Sequence, residues 1–496
     1  MLPKKFFPLP IAWLLGLLLL VANPPASFAQ EKSASPAAPQ NSTFPALLIS
    51  DIHFDPLHDP GKVPQLVKAK VSRWNAILSA PSSPNQAQAF AELQQNCGQR
   101  GADTSYSLLQ SALQAMRARQ ADAKFLAVSG DLMAHTFDCR YAKLFPESKP
   151  GEYQAFVLKT LSYVVRELRT AFPGVPVYVA LGNNDSACRD YQLNPGSEFL
   201  AQTGKIVAEA LPEAQRQEAR AEFAKGGYYA LTMAAPMPGT RLIVVNDVFL
   251  SPYYRDCQGK SSADAANAQM AWLQEQLAEA QRLHQPVWVM GHIPPGIDPY
   301  TTIPGIEEVC ASGTPKMFLS SGQLADTLIA HADVIRLGLF AHSHMDEVRL
   351  LGPDAGAPHG ASEHSVAVKM VPSISPIDGN DLAFTVAQVN AATAVLENYE
   401  VIAASNQSGV ATTWSKEYDF DQTYHAAQFS PATLENLIAG FARDRGAKSE
   451  SSQAYIRNYY VGGRSREVST SWPIYVCALA HHTPKGFAGC ACSGGR

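Results

Sequence analysis

Five short segments, spread over about 300 residues, hold side chains of the types that bind metal ions. They are Asp51-Ile52-His53, Gly130-Asp131, Gly182-Asn183-Asn184-Asp185, Gly291-His292 and Ala341-His342-Ser343-His344. Their carboxylates, imidazoles and carboxamide suit divalent transition metals. Two neighbouring ions held by such ligands can activate water and neutralise phosphoryl oxygens. The segments therefore predict a two-metal hydrolytic site.

An apolar run precedes each segment and predicts a buried strand that ends at the metal-binding residues. The runs are Ala46–Ser50, Phe125–Ser129, Val175–Leu181, Val287–Met290 and Val334–Phe340. Amphipathic stretches such as Tyr153–Ala171 and Ala268–Leu283 predict helices between the strands. In open α/β sheets ligands gather at the carboxyl ends of the strands, so all five segments are expected at one edge of a layered α/β core.

Each segment taken alone has a simpler structural explanation. The carboxylate of an Asp-x-His at Asp51 can cap a helix, and Gly182 to Asp185 can form a turn with a left-handed residue. His342 and His344 are more specific, because alternate residues of a strand point the same way. The order of all five segments, each after its own strand, favours the metal site. The other histidines lack such a setting and are assigned to surfaces or core hydrogen bonds.

The same segments resemble the motifs of the calcineurin-like metallophosphoesterases, specifically the acid sphingomyelinase-like phosphodiesterase branch. The matching text is Ser50 to Leu57, Gly130-Asp131 with His135, Gly182-Asn183, Gly291 to Gly296, Ala341 to His344, and Pro372 to Pro376 with Gly379-Asn380. The likeness runs from Leu47 to Ala480. It implies a four-layer α/β/β/α sandwich with a small, mainly helical C-terminal unit.

The resemblance also implies a ligand set and two metal ions as the cofactors. Position by position, Asp51, His53 and His344 bind one ion, Asn183, His292 and His342 bind the other, and Asp131 bridges both. A hydroxide held between the ions would be the nucleophile. Relatives imply zinc, although this ligand chemistry also accepts manganese or iron.

Two further residues are candidates for catalysis. The residue after the Asn ligand is commonly His in such enzymes and is Asn184 here, and an amide cannot deliver a proton. His135 matches a second active-site His of the branch, so we expect it to protonate the leaving group or to contact phosphate. Gly182 to Asp185 also resembles the related endopolyphosphatases.

Three functional hypotheses remain open. The first is an exported phosphodiesterase whose substrate is a small-molecule or lipid-derived phosphodiester or a nucleotide. The second is an endopolyphosphatase or nucleotide phosphohydrolase that uses the same site. The third is a metal-stabilised binding protein without turnover. A net charge of −5 and the absence of an Arg/Lys run with aromatics argue against nucleic-acid binding. We expect a monomer.

The N-terminal residues carry an export pattern. Lys4 and Lys5 precede the apolar run Ile11 to Ala22, and Ser27-Phe28-Ala29 offers a small-x-small cleavage site. The run is shorter than the about 20 residues of a membrane span. It predicts a cleaved signal peptide over residues 1–29, with an uncleaved anchor as the alternative. We therefore expect a secreted or periplasmic protein without a stable membrane span.

A flexible leader is predicted over residues 30–45, a catalytic domain over 46–401 and a helical, disulfide-containing unit over 402–496. The even count of eight cysteines fits disulfides in an exported chain. Local order favours Cys257 with Cys310, and Cys477 with Cys490 or Cys492. Near the metal segments the options are Cys139 with Cys188, or Cys97 with either of them.

Overall fold

The computed structural model describes residues 42–353, 364–407, 412–463 and 465–493. Within these residues two six-stranded sheets form the predicted layered α/β sandwich. The strands are β1 (Thr43–Ile49), β2 (Leu126–Ser129), β3 (Val177–Ala180), β4 (Tyr229–Thr232), β5 (Arg241–Val244), β6 (Val287–Met290), β7 (Ile335–Phe340), β8 (Glu347–Leu351), β9 (Val366–Met370), β10 (Ala383–Asn390), β11 (Leu396–Ala404) and β12 (Trp414–Asp419). All five predicted strands are present, with small shifts at their ends.

The first sheet has the order β12-β11-β10-β1-β2-β3. Its strands β1, β2 and β3 run parallel, so their carboxyl ends meet at one edge. The second sheet has the order β4-β5-β6-β7-β9-β8, and there β5, β6, β7 and β9 run parallel. The short strands β2, β3 and β6 are buried along their whole length, as expected for parallel strands covered on both faces.

Aromatic side chains connect the two sheets. The rings of Phe125 and Trp288 meet edge to face with centroids 5.7 Å apart. The Trp288 indole N–H donates to the Ala394 carbonyl oxygen at 2.7 Å, and the Val179 N–H donates to the Tyr229 hydroxyl at 3.0 Å. These buried polar atoms all have hydrogen-bond partners. The interface therefore combines apolar packing with hydrogen bonds that fix the alignment of the two sheets.

Helices connect the strands and pack around the sheets, and further helices follow the last strand in the sequence. They are α1 (Val63–Lys68), α2 (Trp74–Leu78), α3 (Gln86–Asn96), α4 (Tyr106–Gln120), α5 (Phe137–Leu144), α6 (Pro150–Ala171), α7 (Glu198–Glu209), α8 (Glu213–Gly226), α9 (Asp264–Arg282), α10 (Pro299–Thr302), α11 (Ile306–Cys310), α12 (Gln323–Ala330), α13 (Phe420–Tyr424), α14 (Pro431–Arg443), α15 (Glu450–Tyr459), α16 (Arg466–Thr470), α17 (Trp472–Ala480) and α18 (Pro484–Cys492). The predicted helices Tyr153–Ala171 and Ala268–Leu283 overlap α6 and α9. Helix α14 begins with a Ser430 cap, whose hydroxyl accepts from the Thr433 N–H.

All eight cysteines form disulfides. The pairs are Cys97–Cys139, Cys188–Cys257, Cys310–Cys492 and Cys477–Cys490. The first and last pairs are among the options predicted. The predicted Cys257–Cys310 pair is wrong, because the fold brings Cys257 to the segment after β3 and Cys310 to the chain end.

The predicted signal peptide over 1–29 and most of the predicted leader lie outside the described residues. Strand β1 already begins at Thr43, three residues before the predicted start of the catalytic domain. The first sheet continues to Asp419, and helices follow from Phe420. The catalytic and C-terminal boundaries stay predictions. In the described part of the chain, none of the helices has the length and apolar character that a membrane crossing requires.

Candidate metal centre

The predicted metal-binding residues follow β1, β2, β3, β6 and β7 and converge at one edge of the sandwich. Several of them adopt left-handed backbone conformations that are rare for residues other than glycine. The φ angles are 44° for Asp51, 43° for His53, 52° for Asp131, 73° for His342 and 64° for His344. Backbone strain of this kind costs about 1 to 3 kcal/mol per residue and concentrates at functional sites. Here it turns each side chain toward a common centre.

Glycines next to the candidate ligands allow the loops to approach one another. A Cβ atom on Gly130, whose φ is +90°, would lie 2.7 Å from His292 Nδ1. A Cβ atom on Gly182 would lie 2.1 Å from Asp131 Oδ1. No larger residue fits at either position without moving a candidate ligand, so the glycines of these motifs are required by close approach.

Asp131 occupies the middle of the centre. Its Oδ2 atom lies 3.5 Å from His53 Nε2 and 3.2 Å from His292 Nε2. These imidazoles come from opposite sheets. A single carboxylate thus faces both groups of candidate ligands, as the sequence analysis expects of Asp131.

His53, His344 and Asp51 form one side of the centre. The Nε2 atoms of His53 and His344 lie 3.2 Å apart, and Asp51 Oδ1 lies 3.7 Å and 3.5 Å from them. The Met133 carbonyl oxygen lies 2.8 Å from His53 Nδ1, so it accepts the Nδ1 proton, and Nε2 is the ring nitrogen that can bind a cation after it loses its own proton. Asp51 Oδ1 is buried without a hydrogen-bond partner. An unsatisfied carboxylate oxygen beside converging imidazole nitrogens fits a cation.

Asn183, His292 and His342 form the other side. Asn183 Oδ1 lies 3.1 Å and His342 Nδ1 lies 3.3 Å from His292 Nε2. The Asn183 side-chain N–H donates to Asp190 Oδ1 at 2.8 Å, which turns the amide oxygen toward the centre. The Tyr191 hydroxyl lies 3.3 Å from His342 Nε2 and so contacts the ring nitrogen that faces away. Such outer contacts fix the orientation of ligands.

Burial and neighbouring charges both shift the pKa values of the ionisable groups at this centre. Burial alone would raise the pKa of Asp131, but His292 and His53 hold it well below its usual range. Burial alone would lower the pKa values of both imidazoles, yet Asp131 raises them to about 9 for His53 and about 10 for His292. Burial, together with the charge of His292, lowers the pKa of His342 to about 3. Without metal, protons on His53 and His292 balance the carboxylates.

Asn184 contacts the central carboxylate. Its backbone N–H donates to Asp131 Oδ1 and its side-chain N–H donates to Asp131 Oδ2, both at 2.8 Å. Asp185 is buried behind it and accepts from the N–H groups of Leu132 and Gly182 at 2.9 Å. Asp185 therefore ties the loop after β2 to the loop after β3. Asn184 lies where it can orient Asp131.

His135 lies beside the first group of candidate ligands. Its ring stacks on His53, with centroids 4.0 Å apart and planes inclined by 22°. One ligand atom each of His135, His53 and His344 lie within 4.8 Å of one another. Asp103 Oδ1 lies 3.0 Å from His135 Nδ1, and Asp103 Oδ2 accepts the His135 backbone N–H at 2.9 Å. The sequence analysis missed Asp103, because a single acid before a helix has no distinctive pattern.

A cavity opens beside His342. Its volume is about 650 Å³. Tyr300, Phe318 and Tyr460 line it together with the acidic side chains of Asp298, Asp378 and Glu467 and with Arg466. The cavity is large enough for an ester group that extends from the metal centre.

With this geometry in place, the comparisons with known proteins agree with the site. The family model for calcineurin-like phosphoesterases matches residues 44–346, so the chain belongs to that family. It is 26% identical over 428 residues to acid sphingomyelinase-like phosphodiesterase 3b of Homo sapiens, with 83% of this chain and 81% of that protein covered. The branch implied by the sequence motifs is confirmed.

Two further relatives extend this similarity. A sphingomyelinase phosphodiesterase C of Dictyostelium discoideum is 22% identical over 408 residues, with 78% of this chain and 82% of that protein covered. A cyclic GMP-AMP phosphodiesterase of Mus musculus is 24% identical over 367 residues, with 72% and 74% covered. Among solved structures, a dimetal phosphatase from Danio rerio is 12% identical with a TM-score of 0.38, with 76% of this chain and 99% of that chain covered.

Proposed function

We propose that this chain is a phosphodiesterase that uses two divalent cations. The observation that carries the proposal is the position of Asp131 Oδ2, 3.5 Å from His53 Nε2 and 3.2 Å from His292 Nε2. In two-metal hydrolases the cations lie about 3.5 to 4 Å apart, close enough for one carboxylate to touch both. The proposal assigns that role to Asp131.

The ligand set follows from the two sides of the centre. One cation would be held by Asp51, His53 and His344, the other would be held by Asn183, His292 and His342, and Asp131 would contact both. Zinc suits this imidazole-rich set, and manganese or iron is the alternative. When bound, the cations act as Lewis acids that activate water and neutralise phosphoryl oxygens.

His135 is proposed to supply the proton that the leaving alkoxide needs. Asp103 accepts from the Nδ1 side of the imidazole, which leaves the opposite ring nitrogen to carry the transferable proton. The stacked His53 ring fixes the plane of the imidazole. Asn184 is proposed to hold Asp131 in place, a role that requires only its amide N–H.

The substrate is proposed to be a small-molecule or lipid-derived phosphodiester or a nucleotide. The relatives bear the names acid sphingomyelinase-like phosphodiesterase and cyclic GMP-AMP phosphodiesterase, so both lipid-derived and nucleotide esters are candidates. The cavity beside His342 supports a substrate with a second ester group beyond the phosphate. Polyphosphate and phosphomonoesters test the alternative hydrolase, and binding without turnover tests the third hypothesis.

A panel of substrates tests the function. Bis-p-nitrophenyl phosphate, p-nitrophenyl phosphate, sphingomyelin, nucleotides and polyphosphate are assayed with zinc-loaded protein and with the Asp131→Asn variant. Phosphodiester hydrolysis that disappears in the variant is the expected result. Preferred hydrolysis of polyphosphate supports the alternative enzyme, and no turnover of any substrate by fully metallated wild type contradicts the proposal.

The compartment is proposed to be extracellular or periplasmic. Four disulfides fit a protein that matures outside a reducing cytosol. Cell fractionation and N-terminal sequencing test this placement, and a mature chain that begins at Gln30 is the expected result. The chain is also proposed to be a monomer, which sedimentation analysis tests.

A further inference from the structure

Two large apolar side chains are strongly exposed among the described residues, Tyr253 at 64% and Leu283 at 53%. Leu283 caps the end of α9. Tyr253 has a different setting, because its ring packs edge to face against Tyr191 with centroids 5.4 Å apart. The Tyr191 hydroxyl lies 3.3 Å from His342 Nε2. One residue therefore separates the exposed ring from a proposed metal ligand.

The segment that carries Tyr253 is held in place. Cys257 forms a disulfide with Cys188, a few residues beyond the candidate ligand loop after β3. The Arg255 backbone N–H donates to the Tyr191 carbonyl oxygen at 3.1 Å. An aromatic side chain on a fixed loop loses little conformational freedom when a ligand packs on it. The exposed ring is thus pre-organised for contact.

The Tyr253 ring also lies close enough to the proposed metal centre for one arm of a substrate to reach it. The ring centroids of Tyr191 and His342 are 6.3 Å apart. Together with the contact to Tyr191, this places the Tyr253 ring within about 12 Å of the His342 ring. One ester arm of a phosphodiester can cover such a span when its phosphate lies on the metals. Scattered exposed side chains need no explanation. This one differs because it packs on Tyr191, whose hydroxyl contacts a proposed metal ligand.

We propose that Tyr253, supported by Tyr191, is a stacking platform for a planar heteroaromatic ring in one ester arm of the substrate. Tyr253 is then a specificity-determining residue. The platform rests on the proposed phosphodiesterase function. Stacking on a tyrosine favours any planar base, because every base has a π face, and it favours a saturated arm less.

Matched esters test the platform. Thymidine 5′-(p-nitrophenyl phosphate) is compared with the same ester of 1,2-dideoxyribose, which lacks only the base. Both release p-nitrophenolate, so the chemical step is the same. Tyr253→Ala is expected to lower kcat/KM about five- to tenfold for the thymidine ester and less than twofold for the abasic ester. Tyr253→Phe keeps a ring and should retain the preference, and Leu283→Ala is the control for loss of an exposed apolar side chain.

Equal losses for both esters in Tyr253→Ala, or an unchanged preference, overturn the platform while phosphodiester hydrolysis stands. If metallated wild type hydrolyses neither ester, the proposed function fails instead, and equilibrium binding still tests the platform. Calorimetry with thymidine 5′-monophosphate and with abasic deoxyribose 5′-phosphate then compares the two proteins. Weaker binding of only the thymidine compound by Tyr253→Ala supports the platform, and equal binding overturns it.

Discussion

Asp103 and His135 form a carboxylate–imidazole pair at the edge of the metal centre, with Oδ1 and Nδ1 3.0 Å apart. The carboxylate is buried and also accepts from the Ser375 hydroxyl at 3.0 Å, whereas the imidazole remains partly exposed. Burial would raise the pKa of Asp103, but His135 and His53 hold it well below its usual range. The ionised carboxylate therefore orients His135.

Replacing this carboxylate should affect substrates according to their leaving groups. Asp103→Asn weakens the orientation of His135, so we expect a loss of about ten- to a hundredfold in kcat for alkyl phosphodiesters and a much smaller loss for p-nitrophenyl esters, which need little proton assistance. His135→Ala should show the same selectivity, and the double variant should be no worse than His135→Ala. Equal losses on both ester types would assign the pair to phosphate binding. Asp122→Asn is a surface control.

Asp131 should be indispensable for metal binding. Asp131→Ala removes the carboxylate that faces both groups of ligands, so metal content and hydrolysis should fall together. Elemental analysis after gel filtration, with a parallel assay, measures both. Two retained metals per chain and activity within about tenfold of wild type would contradict the bridging role.

Asn184 should act through Asp131 and not through proton transfer. Asn184→Ala removes the N–H that donates to Asp131 Oδ2, and loss of such an outer contact typically lowers metal affinity about 10- to 100-fold. Competition with a chelator measures the affinity, with Asn96→Ala as an exposed control. Asn184→His should bring no gain in turnover, because His135 already supplies the acid. A clear rise in phosphodiester hydrolysis would show that an acid is missing.

Metal uptake should depend on pH. In the metal-free protein the pKa values of His53 and His292 are raised to about 9 and about 10, so both are protonated at neutral pH and must lose protons to bind a cation. Affinity should therefore rise with pH between about 6 and 9, with release of about two protons on loading. Calorimetry in buffers of different ionisation enthalpy counts these protons. Metal binding without proton release would show that His53 and His292 are not protonated in the metal-free protein.

The buried carboxyl of Glu417 should make the free energy of unfolding depend on pH. Burial raises its pKa to about 7, with help from Asp346 and Asp381. Because its folded-state pKa is above that of the unfolded chain, its contribution is fully present below about pH 4.5 and is lost as pH rises through 7. Glu417→Gln should raise the free energy of unfolding by up to roughly 3 kcal/mol at pH 8 and change little at pH 4. Thermal melts at both pH values, with Glu435→Gln as the control, measure this.

The strand-and-motif pattern predicted that the five segments converge, because each segment follows a short apolar run rich in β-branched residues, which is typical of a buried strand. The assignment of the individual ligands stays a prediction. Strand β6 matches its predicted range of Val287–Met290 in full, and His292 follows it after Gly291. Strands β4, β5 and β8 to β12 were not predicted, because none of them is followed by a predicted metal-binding segment.

The residues that orient the ligands could not be predicted in this way. Four such residues contact the candidate ligands or their neighbours from loops, for example through the 2.7 Å bond from the His292 N–H to Asp247. They are Asp103, Asp190, Tyr191 and Asp247. A lone acid or tyrosine in a loop has no periodicity. Only the folded geometry assigns such a residue to its partner.

The disulfide pattern has a consequence for the maturation of the protein. Cys97–Cys139 and Cys188–Cys257 join neighbours in the cysteine order, so they can form as the chain enters an oxidising compartment. Cys310–Cys492 spans 182 residues and encloses Cys477–Cys490. Cys310 therefore remains a free thiol until the later cysteines enter the compartment. Thiol exchange with those cysteines or with Cys257 during this time produces wrong pairs. Correct production of this protein should therefore depend on a disulfide isomerase in addition to the oxidase that forms the bonds.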